Sequence, residues 1–102
     1  MAGLTPAGMM DLWNKAVEFF SKNGMQTKIR PIRDLTDERR KKCHARIRDS
    51  GLTEPVWKEI LNTVHADGWL SGKTPSEKYP NWCASFDYVV KNQTNLNKIL
   101  ER

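Results

Sequence analysis

The stretch of sequence that decides the fold is TEPVWKEILNTVHADG, residues 53–68. Thr53 is a residue type favoured at the N-cap of a helix, and Gly68 is a residue type that commonly follows a helix end. Between them, apolar side chains recur three and four residues apart, the spacing of one helix face. These side chains are Val56, Trp57, Ile60, Leu61 and Val64. The pattern predicts an amphipathic helix that places Trp57 in the core.

Two helices are predicted before this stretch. The first begins at Thr5-Pro6, a cap residue followed by proline at the first helical position, and ends at Asn23-Gly24. A linker follows, in which Pro31 prevents a helix. Thr36 caps the second helix, which stops at Ser50-Gly51.

Two shorter helices are predicted after a loop over residues 71–81, which contains Gly, Pro, Ser and Lys and lacks an apolar repeat. The fourth helix begins at Asn81 or Trp82, runs to about Lys91, and turns Trp82 and Phe86 inward. Residues 92–95 break the pattern before a closing helix with Leu96, Ile99 and Leu100. We therefore predict a small all-α bundle of about five helices and no strand, a single domain over residues 1–102 with Trp13, Trp57 and Phe86 in its core.

Positive charge is concentrated in one part of the chain. The formal net charge is +5, but residues 28–48 contain nine Lys or Arg and three carboxylates, so this basic segment alone carries +6 and the remainder about −1. A local positive field attracts a polyanion or an acidic protein face, and a solvated helix face is the plainer alternative. If the segment binds nucleic acid, the candidate contacts are Arg30, Arg33, Arg39, Arg40, Lys42, Arg46 and Arg48.

The second helix has a thin apolar face. Only Cys43 and Ile47, one turn apart, form its apolar centre, with Ala45 beside them, and cations occupy most of its remaining circumference. Few apolar contacts can hold such a helix, so it presents charge or is held by Leu35 and Leu52 at its ends.

Most aromatic side chains lie at core positions of the predicted helices. A domain this small needs large apolar side chains to close its core, so we assign most of the aromatics to packing. Trp69, in a turn, and Tyr79, in the loop, are the two that remain as candidates for stacking on unpaired bases.

The sequence does not favour catalysis, a metal or a membrane. Cys43, His44, His65 and Cys83 match a zinc site in number, but adjacent residues on a helix do not chelate as a paired-ligand loop does, so no metal or other cofactor is expected. No phosphate-binding or dinucleotide-binding motif is present, and no nucleophile sits beside a Gly-rich turn, so no enzyme is expected. No apolar run reaches membrane-spanning length and no secretion signal is apparent, which predicts a cytoplasmic protein with reduced thiols.

Short motifs in the last third form a signature: Gly68-Trp69-Leu70-Ser71-Gly72, then Asn81-Trp82-Cys83-Ala84-Ser85-Phe86-Asp87-Tyr88-Val89-Val90-Lys91-Asn92, then Leu96-Asn97-Lys98-Ile99-Leu100-Glu101. With separated matches upstream, from Leu12-Trp13-Asn14 through residues 28–41 and 46–48 to Trp57, they cover roughly residues 11–101. The pattern resembles the C-terminal domain of phage replication proteins of the replisome-organiser and helicase-loader type. One departure is the 71–81 loop, which is longer than the family pattern.

The resemblance implies a role in phage DNA replication. Domains of this family help to bring the replicative helicase to single-stranded or melted origin DNA, and Tyr88 and Lys91 are the expected exposed members of a helicase-binding face. Longer members carry a preceding winged-helix domain, so this chain is expected to be a C-terminal fragment or a stand-alone protein. Two alternatives stay open: an inhibitor that blocks a host replication or defence complex, and an adaptor that docks on an acidic protein.

Overall fold

The computed structural model describes residues 3–24, 28–74, 77–80 and 82–101. In these ranges the chain forms five α-helices and no strand, which confirms the predicted all-α class. The helices are α1 (Pro6–Lys22), α2 (Asp37–Asp49), α3 (Glu54–Ala66), α4 (Phe86–Val90) and α5 (Gln93–Leu100). A long connection that includes the predicted loop separates α3 from α4.

Side-chain caps set where four of the helices begin. The Thr5 hydroxyl accepts a bond of 3.0 Å from the Gly8 amide, and the Thr36 hydroxyl accepts one of 3.2 Å from the Arg39 amide. These bonds satisfy amide groups that have no partner within the helix. Thr53 occupies the N-cap position of α3 as predicted but makes no side-chain cap bond.

The predicted start of the fourth helix is wrong. Residues 82–85 are not helical, and α4 begins only at Phe86, because the Ser85 hydroxyl caps it by accepting a 3.1 Å bond from the Tyr88 amide. A non-local bond of 2.7 Å from the Ala84 amide to the Leu70 carbonyl holds the preceding segment against the turn after α3. Trp82 is therefore half-buried beside that turn instead of on an inward helix face, and residue 81 lies outside the described ranges.

The predicted break before the last helix is also too long. The Asn92 side chain accepts a 2.8 Å bond from the Asn95 amide and caps α5, so the helix starts at Gln93. Leu96 and Ile99 are buried as the pattern implies, whereas Leu100 is 41% exposed.

Three aromatic rings from three helices form the centre of the core. Trp13 of α1, Trp57 of α3 and Phe86 of α4 are each 1% exposed or less, and their ring centroids lie 5.5 to 6.4 Å apart. Both indole N–H groups are bonded: Trp13 donates to the Arg30 carbonyl at 2.9 Å, and Trp57 to the Met9 carbonyl at 3.2 Å. The predicted core position of all three residues is confirmed.

Hydrogen bonds to its backbone groups fix the linker before α2 to the rest of the protein. The Asn14 side chain both donates to the Ile32 carbonyl at 3.0 Å and accepts from the Ile32 amide at 2.8 Å. The Lys28 amide donates to the Ser71 carbonyl at 2.8 Å, and Ile29 is buried. The first half of the basic segment is thus held against α1 and against the turn over residues 68–72, which we call the Trp69 turn.

Replacing Trp57 by Ala should destabilise the protein by about 3–5 kcal/mol, because the change removes a fully buried ring and leaves a cavity. The matched control is Phe19→Ala, which removes a ring that is 59% exposed and should cost less than about 1 kcal/mol. Urea unfolding followed by circular dichroism measures both values. Equal costs for the two variants would contradict the assignment of the core.

His65 is a buried polar residue that makes stability depend on pH. It is fully buried, its ring stacks on Phe20 with centroids 4.5 Å apart, and neither ring nitrogen has a hydrogen-bond partner among the described residues. Burial, aided by the charge of Lys73, lowers the pKa of His65 from 6.5 to about 4. The neutral ring is favoured in the folded state, because the charged form would lose its hydration without gaining a partner.

Lowering the pH from 7 to 5 should therefore destabilise the protein by about 2 kcal/mol. In that interval the unfolded chain takes up a proton at His65 that the folded chain does not, so folding stability falls as the pH falls. Denaturant unfolding at several pH values measures the effect. His65→Leu should remove it, and His44→Asn, a change at an exposed histidine, should leave it in place; a pH dependence that survives in His65→Leu would exclude His65 as the cause.

Candidate nucleic-acid interface

A groove lies between the linker before α2 and the segment that leads into α4, and its cations come from the linker and α2. Its volume is about 570 Å³. Residues from the linker, α2 and the 83–87 segment line it: Lys28, Ile29, Arg30, Pro31, Ile32, Arg39, Cys83, Ala84, Ser85, Phe86 and Asp87. Three of the lining residues are cations and one, Asp87, is an acid, so the groove keeps an excess of positive charge.

Backbone contacts hold the two walls of this groove together. The Lys28 carbonyl accepts a 3.5 Å contact from the Cys83 thiol, and the Lys28 ammonium donates to the Pro80 carbonyl at 3.1 Å. The Lys28 side chain also packs on Gly72, where an added Cβ would lie 2.8 Å from the Lys28 Cδ. Gly72 has φ +80°, a left-handed conformation that glycine adopts without strain. Glycine is therefore required both by the turn and by the close approach of Lys28.

Arg39 lines the groove, and each of its three guanidinium nitrogens donates a hydrogen bond to the protein. Its Nε and Nη2 donate to the two carboxylate oxygens of Asp87 at 2.9 and 3.1 Å, and its Nη1 donates to the Asp34 carbonyl at 2.7 Å. The hydrogen bond to Asp87 raises the pKa of Arg39. The pair neutralises the groove's one acid and ties α2 to α4, so Arg39, predicted as a nucleic-acid contact, has a positioning role here.

Several other predicted contacts also have internal partners. Arg48 is paired with Asp49 at 2.8 Å, and Lys42 is 3.9 Å from Glu38. Arg46 donates to the Ser50 hydroxyl at 3.2 Å, while its Nε is buried and has no partner among the described residues. Such bonds compete with a phosphate for the same donors, which reduces what these cations can offer to a ligand.

The remaining cations are exposed, and no carboxylate in the described part of the chain pairs with them. They are Arg30, Arg33, Arg40 and Lys41. Arg30 borders the groove, whereas Arg40 and Lys42 lie about 160° apart around α2, on opposite sides of its buried Cys43. The predicted basic surface is thus divided between two sides of the helix. Lys28 also lines the groove. It is counted in the charge of the basic segment but is not among the predicted contacts.

The two aromatic candidates are accessible. Trp69 is 37% exposed and stacks on Trp82 with ring centroids 4.2 Å apart, while Tyr79 is 55% exposed. The Asp67 carboxylate accepts bonds of 2.9 Å from the amides of Trp69 and Leu70 and so fixes the turn. The sequence pattern places Trp82 on the inner face of a helix and does not predict its stack on Trp69. Ser85, a residue type favoured at the N-cap, is the signal in the sequence that indicates a helix start at Phe86.

The predicted partner residues differ in exposure. Lys91 is exposed at the C-cap of α4. Tyr88 is half-buried, because its ring meets Trp82 edge-on with centroids 5.2 Å apart, and it is therefore less exposed than Lys91. The sequence could not show this, since the contact depends on the non-helical course of residues 82–85.

The cysteines and histidines do not come together. Within the described ranges, no group of three or more His, Cys, Asp or Glu is placed to hold a metal ion. Burial raises the pKa of the Cys43 thiol to about 11, and burial also raises that of Cys83. Neither thiol is activated as a nucleophile by its surroundings. No helix among the described residues is long and apolar enough to cross a membrane.

Comparisons with protein-family models, with curated proteins and with solved structures found no match for this chain.

Proposed function

We propose that this chain is a non-catalytic module that binds single-stranded DNA along the groove between residues 28–32 and 83–87, in the service of phage DNA replication. The observation that carries the proposal is the Arg30 guanidinium, which has no ion-pair partner among the described residues, at a groove whose acid, Asp87, is already neutralised by Arg39. A phosphate at Arg30 can form charge-assisted bonds without displacing an internal partner.

Accessible aromatic rings outside the groove, at Trp69 and Tyr79, favour a single strand over a duplex. Trp82 directly precedes Cys83 of the groove wall and stacks on the partly exposed Trp69. Basic grooves with accessible aromatic rings hold single strands with little sequence preference, since every base offers a face for stacking. Duplex DNA keeps its bases stacked inside and offers no such contact.

The resemblance to phage replication proteins extends the proposal to recruitment of the replicative helicase, with Lys91 on the surface available to that partner. The second candidate is an adaptor or inhibitor that docks on an acidic host protein, for which the same exposed cations would serve. The concentration of charge in the basic segment supports both candidates, and the accessible rings of Trp69 and Tyr79 favour DNA.

Arg30→Glu should weaken binding of a fluorescein-labelled oligothymidine at least about tenfold, because it removes a charge-assisted bond and places a carboxylate at the groove. Fluorescence anisotropy over a salt series measures the affinity, which for the unchanged protein should fall steeply as salt rises. Arg40→Glu is the matched control, with the same change of charge at an exposed, unpartnered arginine on α2 outside the residues lining the groove. We expect it to weaken binding far less.

Equal losses for Arg30→Glu and Arg40→Glu would mean that diffuse charge, not the groove, holds the strand. Absence of binding at low salt in the unchanged protein would exclude the single-stranded DNA proposal altogether. Circular dichroism of both variants checks that neither change alters the helical fold.

A pull-down from bacterial lysate, with and without nuclease, separates the two candidates. If the protein works on DNA, most captured proteins should disappear after nuclease treatment, and a directly bound helicase should remain. Capture of an acidic protein that is unrelated to replication and is insensitive to nuclease would favour the adaptor or inhibitor.

A further inference from the structure

A second cavity, of about 420 Å³, lies between the Trp69 turn, α4 and α5 and lacks any residue of the basic segment. It is lined by Trp69, Leu70, Tyr88, Lys98, Ile99 and Glu101. Its volume falls within the range of roughly 300–1,000 Å³ that is usual for small-ligand sites. Leu70 and Ile99 are buried and supply its apolar lining.

The aromatic members of this cavity are held in place by neighbours. Trp82 stacks on Trp69 at 4.2 Å with an angle of 23° between the rings and also meets the Tyr88 ring edge-on. The Asn95 side chain of α5 donates a 2.8 Å bond to the Tyr88 carbonyl, which fixes α4 against α5. Because both rings are fixed before a ligand arrives, a flat aromatic ligand can stack with little loss of side-chain freedom.

The polar members carry opposite charges. Lys98 and Glu101 lie three residues apart at the end of α5, which places them on the same side of the helix. No ion pair or side-chain hydrogen bond occupies either group within the described chain, although both line the same cavity. The cavity thus combines ring stacking, one ammonium donor and one carboxylate acceptor.

We propose that this cavity binds a guanine base together with its 5′-phosphate. The Watson–Crick edge of guanine carries two adjacent donors, N1–H and the N2 amino group, which match the two oxygens of the Glu101 carboxylate in a bidentate pair. Lys98 bonds to the phosphate as a point charge, and Trp69 and Tyr88 contact the ring. Thymine places its single N–H donor between two carbonyl oxygens, so it can form only one such bond and faces repulsion from the carboxylate.

Titration of ¹⁵N-labelled protein with dGMP and, separately, with dTMP tests the cavity without requiring any DNA binding by the groove. We expect the signals of Trp69, Tyr88 and the end of α5 to shift with dGMP, with an affinity at least about fivefold higher than for dTMP. Glu101→Gln should reduce that preference to less than about twofold, because the amide cannot accept both donors. Lys98→Ala should weaken both nucleotides alike.

The matched control is Glu59→Gln, which removes one exposed carboxylate on α3 outside the cavity and should leave the preference unchanged. Equal affinity for dGMP and dTMP, or shifts confined to the basic segment, would overturn the assignment of the cavity. A preference that survives in Glu101→Gln would likewise overturn it.

A second pair of titrations asks whether the guanine is a free nucleotide or a base of a DNA strand, and this arm rests on the proposed function. An eleven-residue oligothymidine is compared with the same strand carrying one central guanine. Tighter binding of the guanine strand, lost in Glu101→Gln, places a strand base in the cavity. Preference for dGMP without any oligonucleotide binding would support a free nucleotide and exclude the proposed function, whereas binding of both strands alike, with no preference among the mononucleotides, would exclude the cavity and leave the groove.

Discussion

The structure depends on the contact between the rings of Trp13, Trp57 and Phe86. It joins three helices that are far apart in sequence, and its two indole N–H groups are satisfied by backbone carbonyls. One of those carbonyls belongs to Arg30. Burying an indole without a bonded N–H is unfavourable, so the core itself specifies where the linker must run. The position of the groove follows from the packing of the hydrophobic core.

How far the sequence predicts the structure depends on whether local or non-local interactions decide each element. α1 and α3 have strong apolar periodicity with caps and helix-ending residues, and α2, although weak in apolar residues, has a clear Thr36 cap and a stop at its end. All three were predicted correctly. The start of α4 was misplaced, because residues 82–85 are held by the bond from Ala84 to Leu70 and by the stack of Trp82 on Trp69. Neither contact leaves a periodic pattern in the sequence.

The sequence predicts the excess of positive charge in the candidate interface, but it does not predict how the charged side chains are arranged. The count of Lys and Arg in residues 28–48 marks the segment, but it cannot show which cations already have partners. Arg39 is occupied by Asp87, forty-eight residues away, and Arg48 by its neighbour Asp49. Exposed ion pairs such as the second contribute little to stability, yet they reduce the charge available to a ligand. Whether Arg30 or Arg39 has an internal partner is therefore decided by the fold.

The segment that leads into α4 forms a wall of both proposed sites. Cys83, Ser85 and Asp87 line the groove, while Trp82 and Tyr88 support or line the second cavity. The segment is fixed by the bond to Leu70, the cap at Ser85 and the Arg39–Asp87 pair rather than by helix packing along its length. The two proposed sites therefore share one wall, and a displacement of that wall would change both.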